Sequence, residues 1–323
     1  MSEYDYDIGI LGGGAAGLTV ASGAAQLGAK ALLVEKEPAL GGDCLHYGCV
    51  PSKTLIHSAN VYHLMKSGKQ FGLPEIDVPP VDFSRISNRI QAVINKIQTH
   101  DSEERFCGLG AKVMFGEARF HDEHTIQLDG KHYTAKNWVI ATGSSPMAPP
   151  ISGLHETGFL TNREIFSLDR LPESLTILGG GPIGIEMAQA FNRLGSRVMV
   201  VDRADQILGK EDKDMADAVM GVLAAEGVDF HLGTSIERVA PDGGQKTVTL
   251  TAAAGERKTL SSEEILVAMG RAANVEGLNL ESIGVDFEPS GIFVDSRLRT
   301  SQKHIFAAGD VSGGFQFTHA AGY

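Results

Sequence analysis

The stretch YDIGILGGGAAGLTVASGAAQLGAKALLVEK, Tyr6–Lys36, decides the fold. It holds a short apolar strand, a glycine-rich turn, a helix of small residues and a second apolar strand. Gly12, Gly14 and Gly17 form G-x-G-x-x-G. The first glycine permits a tight turn, the second lets a diphosphate approach the backbone, and the third lets helix and strand pack closely. The helix start, with Ala15 and Ala16, offers unpaired N–H groups to an anion. Glu35, followed by Lys36, ends the second strand, where an acid accepts hydrogen bonds from ribose hydroxyls.

The same pattern returns in LTILGGGPIGIEMAQAFNRLGSRVMVVDR, Leu175–Arg203, with Gly179, Gly181, Pro182, Ile183 and Gly184 in the turn and Asp202 as the acid. An offset of 167 residues maps Gly12 to Gly179, Gly28 to Gly195 and Glu35 to Asp202. Two units imply two dinucleotides, each on its own parallel sheet. Acids at both strand ends suit free 2′-hydroxyls, so FAD and NAD(H) are favoured over NADP(H). Arg203 could serve a 2′-phosphate, but Lys36 stands at the matching place in the first copy, so a basic residue there does not discriminate.

The fold class expected is α/β, with two Rossmann-like domains, each a parallel sheet plus a small antiparallel β-meander. The expected boundaries are 1–147 for the first segment of the FAD domain, 148–270 for an inserted NAD domain and 271–323 for the return of the FAD domain. TLIHSANVYHLMK reads as helical. Ile86, Ile90, Val93, Ile94 and Ile97 predict a helix ending near Gly108. Ala111–Ser144 reads as a meander ending in a buried strand. Glycine follows a strand at Gly143 and at Gly270, close to the expected domain crossings. In HIFAAGDVSGG, Gly309 and Asp310 end an apolar strand, where open α/β sheets bind ligands. The tail, FTHAAGY, reads as the first turn of a helix without a C-cap, and a truncated chain is the expectation.

A net charge of −12 argues against a nucleic-acid surface. No run reaches a membrane span. The acidic N-terminus lacks the basic start of a secretory signal, so a cytoplasmic location is expected. Three cysteines do not make a disulfide framework.

Two of those cysteines lie in GGDCLHYGCVPSK, Gly41–Lys53. A bridge between Cys44 and Cys49 would close a very short loop, contributing only about 2 kcal/mol, against nearly 5 for a hundred-residue loop. Such a bridge suits catalysis better than stapling. Pro51 fits the first turn of a helix. Cys49 would then lie near that helix's N-terminus, where the dipole favours a thiolate. Lys53 falls one turn on, on the same face. Cys44 is placed in the preceding glycine-rich loop. A pair of inert, buried cysteines is the competing reading, and the two dinucleotide units weigh against it. Cys107 is read as a buried structural thiol.

Together, GGDCLHYGCVPSK, both glycine fingerprints, VIATG and IFAAGDV resemble the class I pyridine nucleotide–disulfide oxidoreductases. The resemblance implies a flavoprotein in which hydride passes between NAD(H) and FAD, coupled to a Cys44–Cys49 disulfide. By that resemblance Cys49 is the flavin-side thiol, making a charge-transfer contact, and Cys44 exchanges with substrate. Lys53 lies by the flavin and pairs with Glu186. Gly42, Asp43, Ala118, Ala141, Thr142, Gly143, Gly309, Asp310 and His319 line the FAD site, and Gly270 and Arg203 the NAD site. Asp43 stands where many members have threonine, and Pro182 where some have a gating tyrosine, so no such gate is expected. His46 is read as a partly exposed loop residue.

Partners implied are a small-molecule or protein-bound thiol/disulfide substrate, or mercuric ion, with no nucleic acid, membrane or metal. A homodimeric parent with a further C-terminal dimerisation domain is also implied, and a monomer is admitted for the chain as it stands. The rival functions are a flavin-only diaphorase or quinone reductase, whose activity would survive Cys44→Ser, and a non-catalytic redox sensor, which would pass no electrons onward.

Overall fold

The computed structural model describes residues 3–314 and 316–322. Met1, Ser2, Phe315 and Tyr323, the last closing the tail read above as a helix turn, lie outside the described residues. The chain divides into two compact units, residues 1–48, 94–145 and 271–323 forming one, and residues 49–93 and 146–270 the other. The expected boundaries kept 49–93 with the first segment, whereas compactness groups those residues with the second unit.

In the first unit, β1 (Tyr6–Leu11), α1 (Ala15–Gln26) and β2 (Ala31–Glu35) form the expected strand–turn–helix–strand. A short helix, α2 (Gly42–His46), follows. The next helix, α3 (Cys49–Lys66), belongs to the second unit. The helix expected to run to Gly108 is instead broken into α4 (Phe83–Gln98) and α5 (Glu103–Gly108). The cause is local. Ser102 caps α5 by accepting from the Arg105 N–H at 3.2 Å, and Gln98 folds over the turn to donate to the Asp101 carbonyl at 2.9 Å. Four strands follow: β3 (Lys112–Phe115), β4 (Arg119–Asp122), β5 (Thr125–Leu128) and β6 (Lys131–Ile140).

The first sheet runs β3-β2-β1-β6-β5-β4, and the strand Ile305–Ala307 also pairs with β6. β6 does two jobs. Residues 131–134 pair antiparallel with β5, while its later residues run parallel to β1 and to Ile305–Ala307. The meander and the parallel sheet are therefore continuous. A fully buried Trp138 on β6 meets Phe120 edge-on at 5.7 Å. Gly9 makes room for it, because a Cβ there would overlap the indole ring.

In the second unit, strands Asp229–His231, Arg197–Val201, Ser174–Leu178 and Glu264–Val267 form a parallel sheet in that order. An antiparallel meander of Thr234–Asp242, Gln245–Ala252 and Arg257–Ser262 accompanies it. The 167-residue repeat extends to strand register. Ile10 pairs with Leu33 and Leu11 with Val34, as Ile177 pairs with Val200 and Leu178 with Val201. Among the described residues no helix is long and apolar enough to cross a membrane.

Candidate active site

Each glycine turn divides its labour among its three glycines. Gly12 has φ +108° and Gly179 φ +114°, a region that penalises any side chain. A Cβ on Gly17 would overlap the Gly12 carbonyl oxygen, and one on Gly184 the Gly179 carbonyl oxygen, so both third glycines are required by helix–strand contact. The middle glycines face space. A Cβ on Gly14 would come no nearer than 3.7 Å to any neighbour, the Gly42 Cα, and one on Gly181 would meet nothing within 4 Å.

The two acids are held alike. Glu35, almost fully buried, accepts from the Gly13 N–H at 2.6 Å and the Glu37 N–H at 2.8 Å. Asp202 accepts from the Gly180 N–H at 2.6 Å and the Ala204 N–H at 2.8 Å. Each carboxylate is thus aimed by the turn it serves, with lone pairs to spare for a diol. Open middle glycines beside oriented acids are what a dinucleotide needs, so the residues of each unit fit one, with Gly12, Gly14, Gly17 and Glu35 in the first and Gly179, Gly181, Gly184 and Asp202 in the second.

Further FAD candidates converge in the first unit. A Cβ at Gly12 would strike the Ala141 carbonyl, and one at Gly309 would stand 3.2 Å from the Ala16 Cβ. Thr142 donates its hydroxyl to the Asn274 carbonyl at 2.7 Å, and the Asn274 N–H donates to the Gly143 carbonyl at 2.9 Å. Asp310 accepts from the Ser144 hydroxyl at 2.6 Å. Ala118 lines a cavity of about 530 Å³ with Glu117, Arg119, Gln127 and Asp129. Lys36, Arg203 and Gly270 are exposed. His319 is exposed in the helix Thr318–Gly322 and stacks on Phe317 at 5.5 Å.

The cysteine segment folds as two helices rather than a loop and a helix. Cys44 lies in α2, half-buried, not in irregular chain. His46 ends α2 and contacts the Leu40 carbonyl through Nε2 at 3.0 Å. Gly48 folds back on α2, since a Cβ there would stand 3.0 Å from the Asp43 carbonyl oxygen and 3.1 Å from the Cys44 Cα. Exposed Cys49 opens α3, with Pro51 in its first turn. Lys53, one turn on, is ion-paired with Glu186 of the helix Pro182–Leu194. Both lie in the second unit, where α3 packs on that helix. Cys107 is exposed on α5, contrary to the buried thiol expected, because Phe106 takes the inward position.

Arg271, Ser144 and Asn274 carry no motif that marks them as functional. Arg271 lies 3.2 Å from Asp43 and donates to the Ser144 hydroxyl and carbonyl, each at 2.7 Å. The Gly-Arg-x-x-Asn run directly after the second crossing was the available signal.

A model of the pyridine nucleotide-disulphide oxidoreductase family matches residues 6–323. The chain belongs to that family. It is 34% identical to a mercuric reductase of Bacillus cereus over 99% of its own length and 51% of the relative's. It is 37% identical to a dihydrolipoyl dehydrogenase of Bacillus subtilis, covering 97% of itself and 69% of that protein. The solved structure of the HOCl-induced flavoprotein disulfide reductase RclA from Escherichia coli superposes with a TM-score of 0.87 at 32% identity, over 98% of this chain and 68% of that one. The chain spans about half the length of the mercuric reductases it matches. Family membership implies FAD and a pyridine nucleotide as ligands.

Proposed function

We propose that the chain is the nucleotide-binding, dithiol-bearing part of an NADH-linked, FAD-dependent disulfide oxidoreductase. The carrying observation is the placement of Cys49 at the start of α3, one turn before a lysine that is ion-paired with Glu186 on the second nucleotide helix. Bound FAD would supply a two-electron carrier between nicotinamide and disulfide.

The protein's own groups do the rest. The α3 N-terminus favours Cys49 as a thiolate, with the Lys53 cation on the same face. Glu186 holds the lysine in place. Two electrons cleave the Cys44–Cys49 bond, and the single proton of the hydride equivalent leaves Cys44 as the thiol and Cys49 as the thiolate. Cys44 attacks a substrate sulfur, forming a mixed disulfide, and its proton passes to the sulfur that leaves as one thiol. Cys49 attacks the Cys44 sulfur, releases the second thiol and restores the bridge. Mercuric ion, the substrate named in several relatives, is an alternative acceptor for the same two thiolates. NADH is favoured over NADPH because Asp202, held by the Gly180 and Ala204 N–H groups, would accept from a ribose diol and repel a 2′-phosphate. The remaining FAD contacts assigned by resemblance, from Ala118 to His319, belong to this reading, as do a homodimeric assembly of a longer protein and the domain limits near 147 and 270.

Cys49→Ser tests it. The variant should retain FAD but lose the long-wavelength absorbance of a thiolate against flavin on two-electron reduction, and that absorbance persisting in the variant would refute the role. Parallel assays with lipoamide, glutathione disulfide and mercuric ion, using NADH and NADPH, assign the substrate.

A further inference from the structure

The first unit contains a half-buried charge cluster that the glycine fingerprint does not explain. Asp43 follows Gly42, and a Cβ on Gly42 would stand 2.7 Å from the Gly14 Cα. Gly42 therefore adjoins the glycine left bare for a diphosphate, and Asp43 is the next residue along the chain. A carboxylate beside an anion's cradle works against anion binding. A second carboxylate, Asp310, joins the same network through the Ser144 hydroxyl at 2.6 Å.

Arg271 answers both acids. Its Nη2 lies 3.2 Å from Asp43 Oδ2 and 2.7 Å from the Ser144 carbonyl oxygen, to which it donates. Its Nε donates to the Ser144 hydroxyl, which in turn donates to Asp310. The Arg271 side chain is 13% exposed and that of Asp43 33% exposed, with Ser144 buried between Arg271 and Asp310, so the guanidinium is sheltered while the Asp43 side of the pair stays within reach of salt.

We propose that Arg271 is a positioning residue that makes the Asp43-bearing cysteine loop compatible with a bound dinucleotide diphosphate, neutralising Asp43 and, through Ser144, fixing Asp310. This rests on the reading that the first unit binds FAD. It assigns Arg271 no contact with the reacting atoms. Two carboxylates and one guanidinium leave the cluster one negative charge before a ligand arrives, and without Arg271 the deficit doubles. The penalty falls on FAD affinity, and it is electrostatic, so removing one of the acids relieves it.

The test is a double-mutant cycle on the full chain, freed of flavin and titrated with FAD by fluorescence. Arg271→Met should weaken FAD binding at least tenfold (about 1.4 kcal/mol). Asp43→Asn alone should bind FAD at least as tightly as the unchanged chain. Asp43→Asn in the Arg271→Met background should regain most of the loss. Raising salt from about 0.05 to about 0.5 M should narrow the Arg271→Met deficit, as screening demands. Packing alone would produce neither the rescue nor the salt dependence. Unchanged affinity in Arg271→Met, or a double variant no better than it, overturns the inference while leaving FAD binding intact. If Arg271→Met does not fold, Asp43→Asn carries the test, and a tenfold loss in it overturns the inference. An unchanged chain that binds no FAD instead overturns the reading of the first unit, and this inference with it.

Discussion

The Lys53–Glu186 ion pair is a poor stabiliser where it stands. Its side chains are 59% and 39% exposed, and pairs of that kind contribute less than about 1 kcal/mol. In the proposed mechanism its value lies in placing a cation one turn after Cys49. Glu186→Gln should therefore change the urea-unfolding free energy by less than about 1 kcal/mol. The same change should slow flavin reduction by NADH roughly tenfold or more, because a cation left unheld is misplaced where charge develops. A destabilised variant with an unchanged reduction rate would show the pair to be structural. At this scale the cysteines, the lysine and the fingerprint glycines were legible, because their chemistry is written in short spacings. Arg271 and Ser144 were not, since their roles depend on partners far along the chain.

Elements repeat the same lesson at longer range. The periodicity of Ile86 to Ile97 foretold α4, where Ile90 and Ile94 are buried with Phe83, and Ile86, Val93 and Ile97 are half-buried. It could not foretell that Gln98 and Ser102 would take over the backbone groups of the intervening turn. In the second unit the helices Pro182–Leu194 and Lys213–Glu226 end beside one another. Arg193 there binds Glu226 in a two-pronged contact at 2.5 and 2.7 Å and reaches Asn60 at 2.6 Å. The Arg193 hydrogen bond is the main cause holding the Glu226 carboxyl below the ordinary glutamate value, with burial opposing it. The sign follows. A depressed folded-state value gives stability that is present above the unfolded carboxyl value and is lost as pH falls through the folded one. Urea midpoints measured from neutral pH into the acid range should fall less steeply in Glu226→Gln than in the unchanged chain. Parallel curves would show that the contact contributes nothing to the acid limb.

For the whole molecule, two dinucleotide sites predict two separate footprints. A ligand at a hundredfold its dissociation constant stabilises its site by about 2.7 kcal/mol, slowing amide exchange that requires opening there roughly a hundredfold. FAD should protect the Gly12–Gly17 turn, and NADH the Gly179–Gly184 turn, by hydrogen-exchange mass spectrometry. Protection of the same turn by both ligands would contradict the assignment. The sequence by itself determined the two nucleotide units, their 167-residue register and the dithiol segment, because turn chemistry, strand hydrophobicity and helix starts act within a few residues of each other. Tertiary structure alone decided that β6 joins the meander to the parallel sheet, that residues 49–93 pack with the second unit, and that Arg271 faces Asp43 and Ser144. The physical reason is that burial and charge pairing act between groups that meet only after the chain has folded.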